Sequence, residues 1–210
     1  MKKKIFKYLN IEICPAKQDG YTILETMIAI SLFLIIITAG MGALLNANLL
    51  HQKSQDMASL MDNLSFILED MSRNLRTGYD YHCINDGNFA MGTIVAPRSC
   101  ASGGAIAFEY AFGNNTVGTD QWVYKIESND GGATYNVLKS VDGAQSFVQL
   151  NPPEVAINSV SGFSVLGAEA PGGNLQQPFV IIKLVGTITY KNVTTPFSLQ
   201  TSASQRTIDI

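Results

Sequence analysis

Residues 18–40 read QDGYTILETMIAISLFLIIITAG, a run suited to an apolar surrounding with one carboxylate, Glu25, set inside it. From Thr26 to Gln52 there are 27 consecutive residues without Asp, Glu, Lys or Arg, more than the roughly 20 that cross a bilayer as a helix. An ionised side chain at mid-bilayer costs on the order of 3 kcal/mol even on lenient insertion scales, so Glu25 needs a reason. Thr22-Ile-Leu-Glu25 has capping-box spacing, with Thr22 as N-cap and Glu25 reaching back to its backbone N–H. A carboxylate in the first turn also suits the helix dipole. An intramembrane acid is equally a functional candidate by default.

Upstream lies a basic head, MKKKIFKYLNIEICPAKQDG (1–20), whose five lysines face two acids and leave +3. Lysines on that side place the head in the cytoplasm and send the C-terminus outward, a single-pass anchor. A secretory signal peptide starts alike, but its apolar core runs only about 7–15 residues before a small-residue cleavage site. Here the core is too long, although AGMGALLNA (39–47) supplies small residues at its far end. Downstream the pattern turns amphipathic without a breaker. Leu50, Met57, Leu60, Met61, Leu64, Ile67, Leu68, Met71 and Leu75 fall on one helical face, with Lys53, Asp56, Asp62, Glu69, Asp70 and Arg73 between them. The spacing predicts one helix from Thr22 to Thr77, roughly 80 Å long, closed by a Gly78 C-cap.

From Tyr79 onward the period becomes two and turn chemistry dominates. Strands are expected at 105–112 (AIAFEYAF), 121–128 (QWVYKIES), 133–140, 145–150, 161–166, 178–190 and 195–206. NDGG (129–132) and VDGA (141–144) read as turns, and Pro- and Gly-rich connectors such as EAPGGNLQQP (169–178) separate the later strands. No internal repeat stands out. The expected class is α+β, an antiparallel sheet covered on one face by residues 57–75 of the helix. Four segments result: head 1–20, apolar helix 21–50, amphipathic continuation 51–77, and an outward β-rich domain 78–210.

The 210 residues are 46% hydrophobic and 15% charged, ordinary for a globular chain, but the apolar excess sits in the first quarter. After residue 20, nine basic residues face fifteen acidic ones. Without a basic stripe, nucleic-acid binding has no electrostatic support. Cys83 and Cys100 lie in the polar part; in an oxidising compartment they are positioned to form a disulfide worth about 3 kcal/mol, and otherwise they are two small buried hydrophobes. His51 and His82 are the only histidines, and one His beside one Cys is too few ligands for zinc. No Ser lies in G-x-S-x-G. Asp130 and Asp142 match no EF-hand series, and Asp-Gly is the default turn pair. Asn63-Leu-Ser, Asn114-Asn-Thr and Asn192-Val-Thr fit the glycosylation pattern as chance tripeptides do. No catalytic constellation and no cofactor or metal site is expected.

Gly20, Tyr21, Thr22, Ile23, Leu24 and Glu25, after a short basic head and before about twenty apolar residues, closely resemble the prepilin motif of type IV pilins and type II secretion pseudopilins. Tyr21 stands where Phe is commoner. The resemblance covers residues 1 to about 77. It implies cleavage between Gly20 and Tyr21 by prepilin peptidase, N-methylation of Tyr21, and retention of the apolar helix on the mature chain. It further implies that the new N-terminal amine of one subunit lies near Glu25 of its neighbour, an ion pair that sets register rather than stability. The partners would be other pilin or pseudopilin subunits, the peptidase, an inner-membrane assembly platform and the lipid bilayer. The chain would start in the inner membrane and end in a periplasmic or cell-surface filament. Gly40 and Gly42 would serve close helix packing or mark a point where the helix stretches. Possession of Glu25 argues against the tip subunit of a pseudopilus, which in the family typically lacks that acid. The segment LEDMSRNLRTGYDYHC (68–83) and a sheet-rich domain of this size resemble a minor subunit of the J or W type; a major pilin of an unusual lineage would read similarly. A permanently anchored binding module and an exported enzyme cleaved near Ala47 are the alternatives.

Overall fold

The computed structural model describes residues 20–85, 96–114, 116–128, 130–170, 174, 176–191 and 193–206. The head with Cys14, Asn129 of the first turn, part of the 169–178 connector and Asn192 lie outside them. The chain divides into two compact units, Met1–Leu50 and His51–Ile210, and helix α1 (Ile23–Thr77) contributes to both.

In the first unit α1 starts as capping chemistry dictates: the Glu25 amide donates to Thr22 Oγ1 at 3.2 Å, and the Thr26 amide to the Thr22 carbonyl. The helix runs unbroken through Gly40 and Gly42, and nothing lies within 4 Å of a Cβ built on either.

In the second unit the amphipathic face of α1 forms one wall of the core. Leu64, Ile67, Leu68, Met71 and Leu75 are buried, with Met57, Leu60 and Met61 packed at the margin. Phe66 points the other way and is 70% exposed. The ten strands are β1 (Tyr79–Ile84), β2 (Cys100–Gly103), β3 (Ala105–Glu109), β4 (Gln121–Ser128), β5 (Tyr135–Ser140), β6 (Val148–Gln149), β7 (Val155–Ile157), β8 (Gly162–Leu166), β9 (Phe179–Tyr190) and β10 (Val193–Ser204). They form one antiparallel sheet ordered β1-β3-β4-β5-β7-β9-β8-β2, with β10 along β9 and β6 on β5. β9 shows the period-two rule most plainly: Val180, Ile182, Leu184 and Ile188 turn inward. The ends of the order meet. Arg98, just before β2, bridges His82 of β1 in parallel, and Cys83 is bonded to Cys100 with a Cα–Cα distance of 5.8 Å.

Several elements differ from the sequence expectation. The strand expected over 105–112 stops at Glu109, because its partner β4 begins opposite at Gln121. Tyr110–Phe112 instead enter a turn, and Phe112 is 87% exposed. Over 145–150 only Val148–Gln149 pair, since Gln145 and Ser146 are held in the preceding turn. β1, β2 and β7 are too short or too polar to announce themselves. β3 is buried on both faces: behind the main core, Ile84, Ala105, Ala107 and Val123 form a second cluster under Ala144 and Phe147. Gly78 does end α1, but not through a left-handed cap, as it lacks positive φ. A Cβ there would strike the Phe108 ring and the Glu109 carbonyl, so the glycine allows close packing. The final carbonyls go to Tyr81, whose hydroxyl donates to the Leu75 and Gly78 carbonyls.

Candidate functional site

Among the described residues, the first unit is a helix without a cover of its own. Its large apolar side chains from Tyr21 to Leu50, Ile37 apart, are 52–82% exposed. By length and composition it is a candidate membrane span. Exposed apolar surface on this scale marks contact with lipid or protein. The few hydroxyls are satisfied within the helix: Thr26 Oγ1 donates to the Ile23 carbonyl at 2.8 Å, Ser31 Oγ to Ile28 at 2.8 Å, and Thr38 Oγ1 to Leu34 at 2.9 Å. A segment in hydrocarbon requires this, because no water is there to take the bond. Glu25 is the one carboxylate of the segment, in the first turn beside its Thr22 cap. Gly20 and Tyr21 precede the helix as exposed, non-helical chain.

In the second unit the acidic residues fall into three kinds. Asp70 is paired across the core, with Lys139 Nζ at 3.0 Å and the Tyr124 hydroxyl donating at 3.3 Å. The same tyrosine oxygen accepts from Asn74 Nδ2 at 2.9 Å, so helix and sheet are pinned at one point. Burial raises the Tyr124 phenol above its ordinary range.

Asp130 and Asp142 are turn locks of one design. In Ser128-x-Asp130-Gly131-x-x-Thr134 the Ser hydroxyl donates to Asp130 Oδ1 at 2.9 Å. The Ala133 and Thr134 amides bind the same oxygen, and the Thr134 hydroxyl donates to Oδ2 at 2.7 Å. Ser140-x-Asp142-Gly143-x-x-Ser146 repeats every one of these bonds through Gln145 and Ser146. Gly131 and Gly143 take φ of 73° and 69°, where other residues are strained. Hydrogen bonds from Thr134 and Ser128, and from Ser140 and Ser146, hold both carboxyls down to about 2. Their oxygens are occupied by the turn itself. This seven-residue recurrence is present in the sequence as S-x-D-G-x-x-[ST], too short to stand out as an internal repeat.

The third kind has no ion-pair partner among the described residues. Glu109, at the end of β3, faces Gln121 at the start of β4, and both are fully buried. Among the described residues, Glu109 Oε1 and Oε2, Asp120 Oδ1, and Gln121 Oε1 and Nε2 make no hydrogen bond of full geometry. Burial pushes the Glu109 carboxyl up, the neighbouring Gln121 side chain draws it back in part, and the charges of Asp120 and Asp80 add to the upward push.

The histidines do not meet: His51 contacts Gln55 and His82 the Ala96 carbonyl. Asn63 is exposed on α1, and Asn114 caps its own turn through Thr116. A cleft of 440 Å³ opens beside Tyr79, Tyr81, Pro97 and Pro178, with Asp80 as its sole ionisable carboxylate and neither His nor Cys in its lining. Among the described residues no three His, Cys, Asp or Glu side chains gather as a metal centre.

No protein family, curated protein or solved structure matches the chain in comparison. Function is therefore argued from its own residues.

Proposed function

We propose that the chain is a structural subunit, of the minor pilin or pseudopilin type, of a type IV pilus-like filament. The observation carrying this is the combination at the start of α1. Exposed, non-helical Gly20-Tyr21 leads into a Thr22-capped helix whose first acid, Glu25, precedes 27 uncharged residues with their apolar side chains turned outward. A protease needs extended chain at its cut, and Gly20 is the last residue before the cap that offers no side chain. Cleavage there creates an α-amine on Tyr21, two residues before the helix start at Ile23, a cation made only by processing. In a bundle of such helices that amine offsets Glu25 of a neighbour, at a cost in desolvation recovered as register. Before assembly the same apolar surface is covered by the inner-membrane bilayer. The pilin-like fold, the filament, the peptidase and the assembly platform all belong to this reading. Chemistry of its own is no part of it.

A permanently anchored β-domain that never assembles would use the apolar helix in the same way. Mass spectrometry of the mature N-terminus from the native host separates the two. A chain beginning at methylated Tyr21 supports the filament, and an intact head supports the plain anchor. Glu25→Leu adds a second arm: it should remain in the membrane yet fail to enter fibres, and unchanged partners would reject the role given to Glu25.

A further inference from the structure

The free edge of the sheet raises a question independent of the filament reading. The strand order closes towards itself through the His82–Arg98 bridge and the Cys83–Cys100 bond, whereas β10 pairs with β9 alone. It is twelve residues long and keeps an unbroken register with β9 from Val193 to Ser204. Long flat edges invite a further strand, and proteins blunt them with charge, proline, bulges or a short span. VTTPFSLQTSAS (193–204) has no charged residue and a single proline, Pro196.

Which groups face the open side follows from β9. The Thr189 amide donates to the Glu154 carbonyl at 2.9 Å, and the Asn158 amide donates to the Val185 carbonyl at 2.7 Å. These groups turn away from β10, on which Thr194 faces Thr189 and Ser198 faces Val185. Antiparallel pairs alternate in this respect, so Thr194, Pro196, Ser198, Gln200, Ser202 and Ser204 direct their main-chain groups to the open side. The open stretch is bounded at both ends. Pro196 has no N–H, and the Arg206 amide is taken by the Arg76 carbonyl at 2.8 Å. Between them Ser198, Gln200, Ser202 and Ser204 are exposed, and among the described residues no hydrogen bond reaches their outward amides or carbonyls.

We propose that this edge pairs with a second copy of the chain, antiparallel and two-fold symmetric about Thr201. Ser198 then faces Ser204 of the partner subunit, and Gln200 faces Ser202 of the partner subunit, in about eight main-chain hydrogen bonds. Pro196 and Arg206 are equidistant from Thr201. The residue without a donor therefore falls opposite the one whose donor is already used, a match that only a second copy supplies. Charge argues the same way. After residue 20 nine basic residues face fifteen acidic ones, so two copies repel in general, and β10 offers a seam free of charge. Lys183, opposite Gln200 on β9, lies three strand spacings or more from its image, roughly 14 Å, beyond the screening length of about 8 Å.

The test uses the full-length protein in detergent, with Cys14→Ser so that an added thiol stands alone beside the Cys83–Cys100 bond, and with Thr201→Cys. On the two-fold axis the two Cα atoms sit opposite each other at about 4.5 Å, inside disulfide range. Mild oxidation should give at least about tenfold more linked dimer than Thr195→Cys, which is more exposed but lies far from its own image. That contrast separates pairing through β10 from association through the apolar helix, which would link both positions alike. Ser202→Pro removes an N–H that faces the seam and not β9, and should reduce linking to the Thr195→Cys level. Ser202→Lys, which keeps the main chain intact, should weaken it by like charge across the seam. Thr194→Pro, also outward-facing but beyond the seam, should leave it intact. Equal linking at Thr201→Cys and Thr195→Cys would overturn the proposal and leave the edge to an extended segment of another protein. So would a link that survives both Ser202 substitutions or vanishes in Thr194→Pro.

Discussion

Replacing both Cys83 and Cys100 by Ala tests how far the second unit depends on the link between the two ends of its sheet order. The bridge spans a sequence separation of 17. Loop-closure entropy for that length gives about 3 kcal/mol at 25 °C. For a domain of this size that is roughly 6–12 °C in Tm, or about 1.5 M in the urea midpoint at an m-value near 2 kcal/mol/M. Packing lost with the Cys83 sulfur, which is fully buried, acts in the same direction. Backbone bonds work beside the bridge, with the Cys83 amide donating to the Arg98 carbonyl at 3.0 Å and the Arg98 amide to the Tyr81 carbonyl at 2.9 Å. These should keep the double variant folded, so that the change is read as stability and not as loss of structure. Urea unfolding followed by Trp122 fluorescence, with thiol counting on native and denatured protein, is the assay. A midpoint within about 0.5 kcal/mol of the oxidised protein would refute the loop-closure argument and make the cysteines ordinary packing groups.

Neighbours on α1 should respond in opposite ways. Leu64→Ala or Met71→Ala, at fully buried positions, should cost about 2–5 kcal/mol in denaturant unfolding, whereas Phe66→Ala should stay within about 0.5 kcal/mol. Tyr124→Phe removes the hydroxyl joining Asn74 to Asp70 and should cost about 1 kcal/mol, with Lys139 still paired to Asp70. Asp130 and Asp142 are held at about 2, below the ordinary 3.8. Because the folded value is the lower one, their contribution is complete above about pH 4 and is lost as pH falls towards 2. Carbon-13 NMR of the two carboxyls should show them ionised at pH 3, and titration near 3.8 would contradict the saturated turns.

The long helix was legible because periodicity and composition act over many residues: 27 uncharged positions and then a repeating apolar face leave little else to form. β9 was legible for the same reason, as twelve residues of alternation determine which face is inward. Short strands escaped. β2 and β7 have four and three residues, fewer than any period needs, and exist because longer neighbours supply a ladder. The second cluster escaped for a related reason. Val123 and Ala107 alternate as solvent-facing residues would, and only the return of Phe147 over them makes both faces dry.

The carboxylates mark where local chemistry stops being enough. Asp130 and Asp142 sit in Asp-Gly turns, and their four oxygens are filled by hydroxyls and amides within six residues of sequence. That result was available from the sequence through the S-x-D-G-x-x-[ST] spacing, since serine, aspartate and glycine there leave few other turns. Glu109 sits in AIAFEYAF and reads as the polar side of a strand. Its burial depends on Gln121 facing it and on Gly113 folding back against it, contacts set by the register of β3 against β4. An acid's neighbours in sequence decide whether it is satisfied within its own turn. Only the fold decides whether an acid with no such neighbours ends in water or inside, and in this chain Glu109 ends inside, opposite Gln121.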